Sequence, residues 1–228
     1  MSVAVVTDSH LGGPGGPAGP LVAQLAELPA RGCRRLILLG DLCQLWIGFP
    51  KYETDDVRAL LAVLRDLRRQ GLEIDCIEGN RDFFLAGPRY ADAFRVVPET
   101  SFEIAGRRYL CLHGDGLDRR DWQYHFWRST SKSFAGRLAA RALPERIAQR
   151  VVTGTEAALS ETNQKHKRTI PEAVLRAYGA ERLQEGYDVL LLGHFHEAHR
   201  WAVPGGEVRL LDAWFRHRRI EWFAEDSP

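Results

Sequence analysis

The feature that most constrains how this chain folds is a series of five short polar motifs, each of which follows a run of apolar residues. Each run has about the length of a buried β-strand, as in Val3 to Val6. In open α/β sheets, ligands bind in a crevice outside the carboxyl ends of the strands. The pattern therefore predicts that five strand ends converge on one site. The motifs are Asp8-Ser9-His10, Gly40-Asp41, Gly79-Asn80-Arg81-Asp82, His113-Gly114-Asp115 and Gly193-His194-Phe195-His196.

Strand and helix signals alternate in the first third of the chain. The apolar runs Leu36 to Leu39 and Ile74 to Ile77 both lead to a glycine, which predicts two further strands. Between them, Thr54 is a typical helix N-cap, and apolar residues follow at helical spacing from Val57 to Leu64. This alternation predicts an α/β sandwich with a largely parallel inner sheet. The other elements that the pattern predicts are a helix at Leu21 to Leu28, a hairpin of Phe102 to Ile104 with Tyr109 to Leu112, and strands at Val189 to Leu192, Trp201 to Val203, Val208 to Leu211 and Ile220 to Phe223.

Residues 119–185 have helical patterning without strand signals, which predicts a helical cap inserted into a single domain spanning residues 1–228. This segment contains 13 Lys and Arg against 7 Asp and Glu residues, a net charge of +6. The rest of the chain has 18 against 23, a net charge of −5. Two explanations stay open: helices with solvated basic faces, or a basic cap over an anionic ligand or beside anionic lipid.

Composition excludes several classes of protein. Hydrophobic residues make up 45% of the 228 residues and charged residues 27%, which is typical of globular and not of disordered chains. The formal net charge of +1 favours no nucleic-acid partner. The four cysteines include no C-x-x-C pair, which argues against a zinc ribbon and indicates free thiols in a reducing compartment. Neither a signal peptide nor 18 consecutive apolar residues is present, so the sequence predicts a cytoplasmic protein.

The residue types at the five strand ends are those that bind divalent metal ions. Carboxylates, imidazoles and one amide suit Mn²⁺, Fe²⁺ or Zn²⁺ better than Cu⁺ or an all-oxygen Ca²⁺ site. One aspartate can bridge two ions about 3.5–4 Å apart, an arrangement used to hydrolyse phosphate esters. In Asp8/His10 and in His194/His196, the i, i+2 spacing predicts that both side chains lie on one side of an extended backbone.

Each motif taken alone also has a purely structural explanation. A lone D-x-H or H-x-H is more often a chance occurrence or a satisfied core histidine than a metal site. Asn80 could equally be an ordinary turn residue, and Asp41 could cap the next element. The five motifs together, in this order and at strand ends, favour a metal site.

The set of motifs resembles that of the calcineurin-like metallophosphoesterases, whose pattern is D-x-H, G-D, G-N-H-[DE], a later His and G-H-x-H. The resemblance implies a four-layer αββα sandwich and two divalent metal ions, with Asp41 as the bridge between them. It also implies the ligands of each ion. The first ion would bind Asp8, His10, Asp41 and His196, and the second Asp41, Asn80, His113 and His194.

Arg81 limits this resemblance to fewer families, because most metallophosphoesterases have a histidine at this position of the third motif. G-N-R-D-F (79–83), G-D-L-x-x-x-W-I-G (40–48) and H-G-D-x-L (113–117) look like motifs of the UDP-2,3-diacylglucosamine pyrophosphatase family of lipid A biosynthesis. The resemblance implies a hydrolase that cuts a nucleotide-activated glycolipid at its α-phosphate, giving UMP and 2,3-diacylglucosamine 1-phosphate. It further implies two Mn²⁺ ions and a peripheral position on the cytoplasmic face of the inner membrane, without an obligate protein partner.

The same resemblance assigns roles residue by residue. The residues it implies for catalysis are Asp41, Asn80, Arg81 and His194. Those it implies for substrate binding are Asn80, Arg81, Asp121, Ser160, Asn163, Lys165, Lys167 and His194. The chain departs from the family where C-T-D is replaced by Asp118-Arg119-Arg120, where Arg-Pro after G-H-x-H is replaced by Glu197-Ala198, and where A-W-H ends in Phe215.

Two other functions remain open on the sequence. One is a two-metal phosphodiesterase or pyrophosphatase for another nucleotide or small phosphodiester, and the other is a metallophosphoesterase-fold scaffold without activity. A nuclease would need a basic groove, whereas the chain outside residues 119–185 is net acidic. All seven expected ligands are present, which disfavours the scaffold.

Overall fold

The computed structural model describes residues 2–117, 126, 129–148, 150, 154 and 170–225. The predicted substrate residues of the cap lie outside this part of the chain; they are Asp121, Ser160, Asn163, Lys165 and Lys167. In the described part, no helix combines the length and the apolar character needed to cross a membrane.

The first sheet has five strands, in the spatial order β12 (Glu221–Ala224), β1 (Ser2–Val6), β2 (Arg35–Leu38), β4 (Glu73–Cys76) and β6 (Arg95–Val96). The four neighbouring strands β1, β2, β4 and β6 are parallel. Only the edge strand β12 runs antiparallel to its neighbour in this sheet.

The second sheet also has five strands, with a parallel centre and an antiparallel hairpin at each edge. In spatial order they are β10 (His199–Val203), β11 (Gly206–Leu210), β9 (Val189–Leu192), β8 (Arg107–Leu112) and β7 (Thr100–Ile104). A separate parallel pair joins β3 (Trp46–Ile47) to β5 (Asp82–Phe83).

The described residues also include five α-helices and a short 3-10 helix at Pro50–Tyr52. Thr54 caps the second α-helix as predicted, since its side chain accepts a hydrogen bond from the backbone N–H of Val57. The α-helices are α1 (Gly19–Ala26), α2 (Asp55–Arg69), α3 (Phe134–Ala142), α4 (Glu172–Leu183) and α5 (Trp214–His217).

Three apolar layers hold these elements together. Leu21 of α1 and Leu60 of α2 belong to a cluster that packs on the outer face of the first sheet. Val5 and Leu191 belong to a second cluster, between the two sheets. Leu175 of α4 packs with residues on the outer face of the second sheet. The predicted four-layer αββα sandwich is therefore confirmed.

Some elements differ from the prediction in their limits. The first helix spans Gly19–Ala26 and not the predicted Leu21 to Leu28, and it begins earlier because Pro20 is well suited to the first helical turn. The two-residue strands β3, β5 and β6 were not predicted, since such short pairings leave no periodic signal. Within residues 119–185, α4 packs on the second sheet and forms part of the sandwich.

Helix α3 is joined to the body of the protein through its C-terminal end. Tyr52 Oη donates to the backbone carbonyl of Ala140 at 2.8 Å. Lys51 Nζ donates to the carbonyl of Arg141 at 2.9 Å and also to that of Leu143. The ammonium of Lys51 thus satisfies carbonyls at the negative end of the helix dipole, a favourable position for a cation.

A buried ion pair connects the two sheets. Arg35 Nη2 at the start of β2 donates to Asp75 Oδ2 at 2.5 Å and to Thr100 Oγ1 of the second sheet at 2.6 Å. Arg95 Nε donates to the other oxygen of Asp75 at 2.8 Å. Burial alone would raise the pKa of Asp75, but the hydrogen bonds from Arg35, Thr100 and Arg95 and the charge of Arg35 hold this pKa below its usual value.

Asp75→Ala should therefore lower the free energy of unfolding at pH 7 by about 3 kcal/mol, because it leaves the mostly buried Arg35 without its counter-charge. Since the folded-state pKa of Asp75 is depressed, this stabilisation is complete above the unfolded pKa near 4 and is lost as the pH falls through the folded pKa. Urea unfolding at several pH values measures both effects. Asp92→Ala, at a carboxylate that pairs with Arg65 on the surface, is the control and should cost less than about 1 kcal/mol. A difference between Asp75→Ala and the wild type that widens on acidification would contradict this account.

Candidate metal centre

The five motifs lie at the carboxyl ends of five strands, as predicted. Asp8 follows β1, Asp41 follows β2 and Asn80 follows β4, which are parallel neighbours in the first sheet. His113 follows β8 and His194 follows β9, which are parallel neighbours in the second sheet. Because the two sheets are stacked, the five strand ends meet at one edge of the sandwich.

Left-handed backbone conformations, rather than extended ones, bring the side chains together. The prediction of an extended backbone at Asp8/His10 and at His194/His196, with both side chains of each pair on one side, is therefore wrong. A left-handed residue reverses the chain sharply, and for a side chain with a Cβ it costs about 1 kcal/mol or more. The residues with positive φ in the motifs are Asp8 (49°), His10 (43°), Asp41 (53°), His194 (69°) and His196 (63°).

A first group of ligand atoms consists of Asp8, His10 and His196, all buried. His196 Nε2 lies 3.1 Å from His10 Nε2 and 3.0 Å from Asp8 Oδ1. The other oxygen of Asp8 accepts hydrogen bonds from Thr7 Oγ1 at 2.6 Å and from the backbone N–H of His194 at 2.8 Å. These two bonds orient the carboxylate so that Oδ1 faces the two imidazoles.

A second group consists of Asp41, His113 and His194. The ligand-type atoms of each group lie within 4.8 Å of one another. The side-chain amide of Asn80 contacts this group, and its contacts differ according to whether its oxygen or its nitrogen faces the group. With its oxygen towards the group, Asn80 Oδ1 lies 2.9 Å from His194 Nδ1, and three acceptor atoms face one another as they do around a cation. With the amide turned over, its nitrogen donates to Asp41 Oδ2 and His194 Nδ1.

Asp41 lies between the two groups. Its Oδ1 is 3.6 Å from His113 Nε2 in the second group, and its Oδ2 is 3.9 Å from His10 Nε2 in the first group. Oδ1 also accepts the backbone N–H of Arg81 at 2.8 Å, which fixes the orientation of the carboxylate. Oδ1 faces the second group, and Oδ2 lies between His10 of the first group and the Asn80 amide, which is 3.0 Å away, so Asp41 has the position that a bridging carboxylate requires.

His113 is held in the tautomer that a metal ligand needs. Its Nδ1 lies 2.8 Å from the carbonyl oxygen of Leu39, which can only accept, so Nδ1 carries the proton. Nε2 is buried and has no hydrogen-bond partner among the described residues. Burial would lower the pKa of His113, but the charges of Asp41, Asp8 and Asp115 and the hydrogen bond to Leu39 raise it above its usual value. An orphaned ring nitrogen in such a negative environment fits a divalent cation.

Glycines leave the space in which the ligands approach one another. A Cβ on Gly79 would lie 2.2 Å from Asp41 Oδ1 and 2.7 Å from His113 Nε2. A Cβ on Gly193 would lie 2.2 Å from Thr7 Oγ1 and 2.9 Å from Asp8 Oδ2. Together with the donor set, this space indicates that the residues present fit two divalent ions, one in each group.

Asp82 is a residue of the site to which the sequence assigns no role. Its Oδ2 accepts the backbone N–H of Asp41 at 2.8 Å and that of Gly79 at 2.9 Å, so it ties two ligand loops together. Burial and the negative charge of Asp41 raise the pKa of Asp82 to about 7. The aspartate in G-N-R-D was visible in the motif, but its partner Asp41 is 41 residues away in sequence.

Two phenylalanines pack against the histidines of the groups. The ring of Phe215 meets His10 and His196 edge to face, with centroids 5.6 and 5.0 Å apart. Phe195 meets His194 in the same way at 5.1 Å. Each ring restricts the imidazoles beside it. Phe215 stands where the family pattern has a histidine, and nothing in the sequence alone connects it to His10.

Gly79→Ala should weaken the binding of divalent metal ions by at least tenfold, because the new methyl group overlaps Asp41 Oδ1 and His113 Nε2. Gly87→Ala is the matched control, since a Cβ at Gly87 meets nothing within 4 Å. Calorimetric titration with Mn²⁺, with circular dichroism to monitor folding, measures the difference. Equal Mn²⁺ affinity in both variants would show that Gly79 does not line the site.

No family model matches the chain. Solved structures with partial likeness include an archaeal phosphodiesterase, with 13% identity and a TM-score of 0.43 over 95% of this chain and 87% of that one. Vps29 of Chaetomium thermophilum has 12% identity and a TM-score of 0.46 over 93% of this chain and 71% of its own.

Curated proteins give a closer match in sequence. The chain is 31% identical to the UDP-2,3-diacylglucosamine hydrolase of Ralstonia nicotianae over 93% of its own length and 83% of that protein. It is 30% identical to the protein of the same name from Yersinia pestis over its whole length and 93% of that protein. A third, from Stenotrophomonas maltophilia, is 30% identical over 86% of the chain and 82% of the relative. With this identity over nearly the whole chain, the protein belongs to the UDP-2,3-diacylglucosamine hydrolase family.

Proposed function

We propose that the protein hydrolyses UDP-2,3-diacylglucosamine at its α-phosphate, giving UMP and 2,3-diacylglucosamine 1-phosphate. The observation that carries this proposal is Asp41, which faces both ligand groups of a site built for two metal ions in a chain of this family. A water oxygen would bond to the α-phosphorus as the bond from that phosphorus to the bridging oxygen breaks. The bridging oxygen then leaves with the sugar 1-phosphate.

The metal ions are proposed to be Mn²⁺, which the mixed carboxylate, imidazole and amide donors suit. Asp8, His10 and His196 would hold the first ion, Asn80, His113 and His194 the second, and Asp41 both. When bound, the two ions supply polarisation of the phosphoryl oxygens and a lower pKa for the attacking water.

Arg81 is proposed to hold phosphate oxygens beside the second group. It is buried, and its backbone N–H donates to Asp41 Oδ1 at 2.8 Å, which fixes its position relative to the bridge. A guanidinium keeps its protons near neutral pH and binds phosphate through paired donors. The leaving group here is a phosphate monoester, which needs no proton to depart, so an arginine serves where other metallophosphoesterases have a histidine.

The cap is proposed to receive the acylated part of the substrate and to contact the inner membrane from its cytoplasmic face. In the described part of the cap, Phe134 and Leu138 of α3 are 83% and 58% exposed, and they are one helical turn apart. Arg137 and Arg141 on the same helix are exposed as well. Large exposed apolar side chains beside cations suit an anionic lipid surface. Asp121, Ser160, Asn163, Lys165 and Lys167 remain predicted substrate contacts.

The first test is release of UMP from UDP-2,3-diacylglucosamine in the presence of Mn²⁺. UDP-N-acetylglucosamine and bis(p-nitrophenyl) phosphate are assayed beside it. We expect strong hydrolysis of the acylated nucleotide alone, and none with Asp41→Ala, because that variant removes the carboxylate that faces both groups. Turnover of the small diesters alone would instead support a phosphodiesterase with another substrate.

The cap proposal is tested with the double variant Phe134→Ser/Leu138→Ser. It should raise KM for UDP-2,3-diacylglucosamine about tenfold and weaken flotation with anionic vesicles, because it removes the two large exposed apolar side chains of α3. Hydrolysis of bis(p-nitrophenyl) phosphate should stay unchanged. Arg65→Ala, a surface change on α2, is the control. Equal losses on both substrates would show that α3 acts on the metal site and not on the lipid.

A further inference from the structure

Lys132 joins the cap to the loop that carries Asn80 and Arg81. Its Nζ donates to the backbone carbonyl of Gly79 at 2.7 Å and lies 3.6 Å from Glu78 Oε2. It also lies 5.5 Å from the centre of the Phe83 ring. Only 15% of the Lys132 side chain is exposed. A lysine from the segment before α3 is thus mostly buried against a loop more than fifty residues away in sequence.

The peptide that Lys132 contacts needs external support. Gly79 has no Cβ, and a Cβ would collide with Asp41 Oδ1, so the side-chain sterics that restrict other residues are absent here. Hydrogen bonds must therefore fix the two peptide groups that flank the Cα of Gly79. Asp82 Oδ2 accepts the N–H of the Glu78–Gly79 peptide, and Lys132 donates to the carbonyl of the Gly79–Asn80 peptide. A hydrogen bond from an ammonium is among the stronger ones.

Glu78 extends the same contact along the loop. Its Oε1 accepts the backbone N–H of Leu85 at 2.6 Å, which closes the segment from residue 78 to residue 85. Its Oε2 faces Lys132. The ammonium therefore touches the closed segment at two adjacent residues, immediately before Asn80.

We infer that Lys132 is a positioning residue. Through its contacts with the Gly79 carbonyl and the Glu78 carboxylate, it makes the position of Asn80 in the second ligand group depend on the position of the cap. The inference rests on the metal centre proposed above, and it adds a mechanical connection between the cap and that centre. Loss of the ammonium frees the Gly79 peptide to rotate and moves the Asn80 amide away from Asp41 and His194.

Lys51 provides a matched control for Lys132. It is also a lysine, and its Nζ also donates to backbone carbonyls across the contact between body and cap, those of Arg141 and Leu143. It attaches the cap at the end of α3 rather than at the loop that carries Asn80 and Arg81. Loss of either lysine would loosen the attachment of the cap, whereas only the loss of Lys132 should displace Asn80.

The experiment measures Mn²⁺ binding by calorimetry to the full chain in a His10→Ala background, which removes a ligand of the first group and leaves the second group intact. Lys132→Met should weaken the remaining site about tenfold or more, as is usual when a residue that orients a ligand is removed. Lys132→Arg should restore most of the affinity, because it keeps the charge and the donors. Lys51→Met should leave the Mn²⁺ affinity unchanged.

Mn²⁺ affinity in Lys132→Met equal to that of the parent would overturn the inference, as would equal losses in Lys132→Met and Lys51→Met. If Lys132→Met does not fold, Glu78→Gln takes its place: it keeps an acceptor for Leu85 and removes the charge that faces Lys132. A smaller loss in the same direction supports the coupling, and no loss refutes it. Because the titration contains no nucleotide, its outcome is independent of whether the proposed substrate is correct.

Discussion

The crowding of negative and lone-pair-bearing atoms around Asp41 is the interaction on which the rest of the structure depends. The side chains of Asp8, His10 and Asp41 are fully buried, and the carboxylate oxygens face imidazole nitrogens at 3.0 to 3.9 Å. Without a cation, such a cluster opposes folding, since buried like charges repel and lose their hydration. The surrounding hydrogen bonds counter this opposition: Thr7 and the His194 amide hold Asp8, the Arg81 amide holds Asp41, and Asp82 joins two of the loops.

The site also explains why the two sheets must be stacked as they are. The first group takes Asp8 and His10 from the first sheet and His196 from the second, and the second group takes Asp41 from the first sheet and His113 from the second. Neither sheet alone holds a complete group. A metal ion in either group would therefore connect the sheets, in parallel with the apolar cluster between them and the ion pair of Arg35 with Asp75. Metal binding would for this reason strengthen the packing of the two sheets.

The sequence predicts the fold and the composition of the site better than it predicts the geometry. Apolar runs that end in Gly-Asp or Gly-His give both the strands and the ligands, because a strand and its following turn are local in the chain. The left-handed conformations of Asp8 and His196 are not predictable in this way, since they depend on contacts between the two sheets. For the same reason, the sequence does not predict that Asp82 and Phe215 belong to the site, because their partners Asp41 and His10 are distant in sequence.

The uneven distribution of charge along the chain is related to the contacts between cap and body. Residues 119–185 carry a net charge of +6 and the rest of the chain, which holds the acidic ligand groups, a net charge of −5, so these two stretches of the chain attract each other electrostatically. Lys132, a cation of the basic stretch, donates to a backbone carbonyl of the acidic one, whereas Lys51 of the acidic stretch donates to the carbonyl of Arg141 in α3. In the function proposed above, an anionic substrate that entered between cap and body would neutralise basic groups of the cap, while metal ions would neutralise the acidic groups of the body. In the proposed function, the body would supply the chemistry at phosphorus, and the cap would supply cations and apolar area that select a lipid-bearing anion.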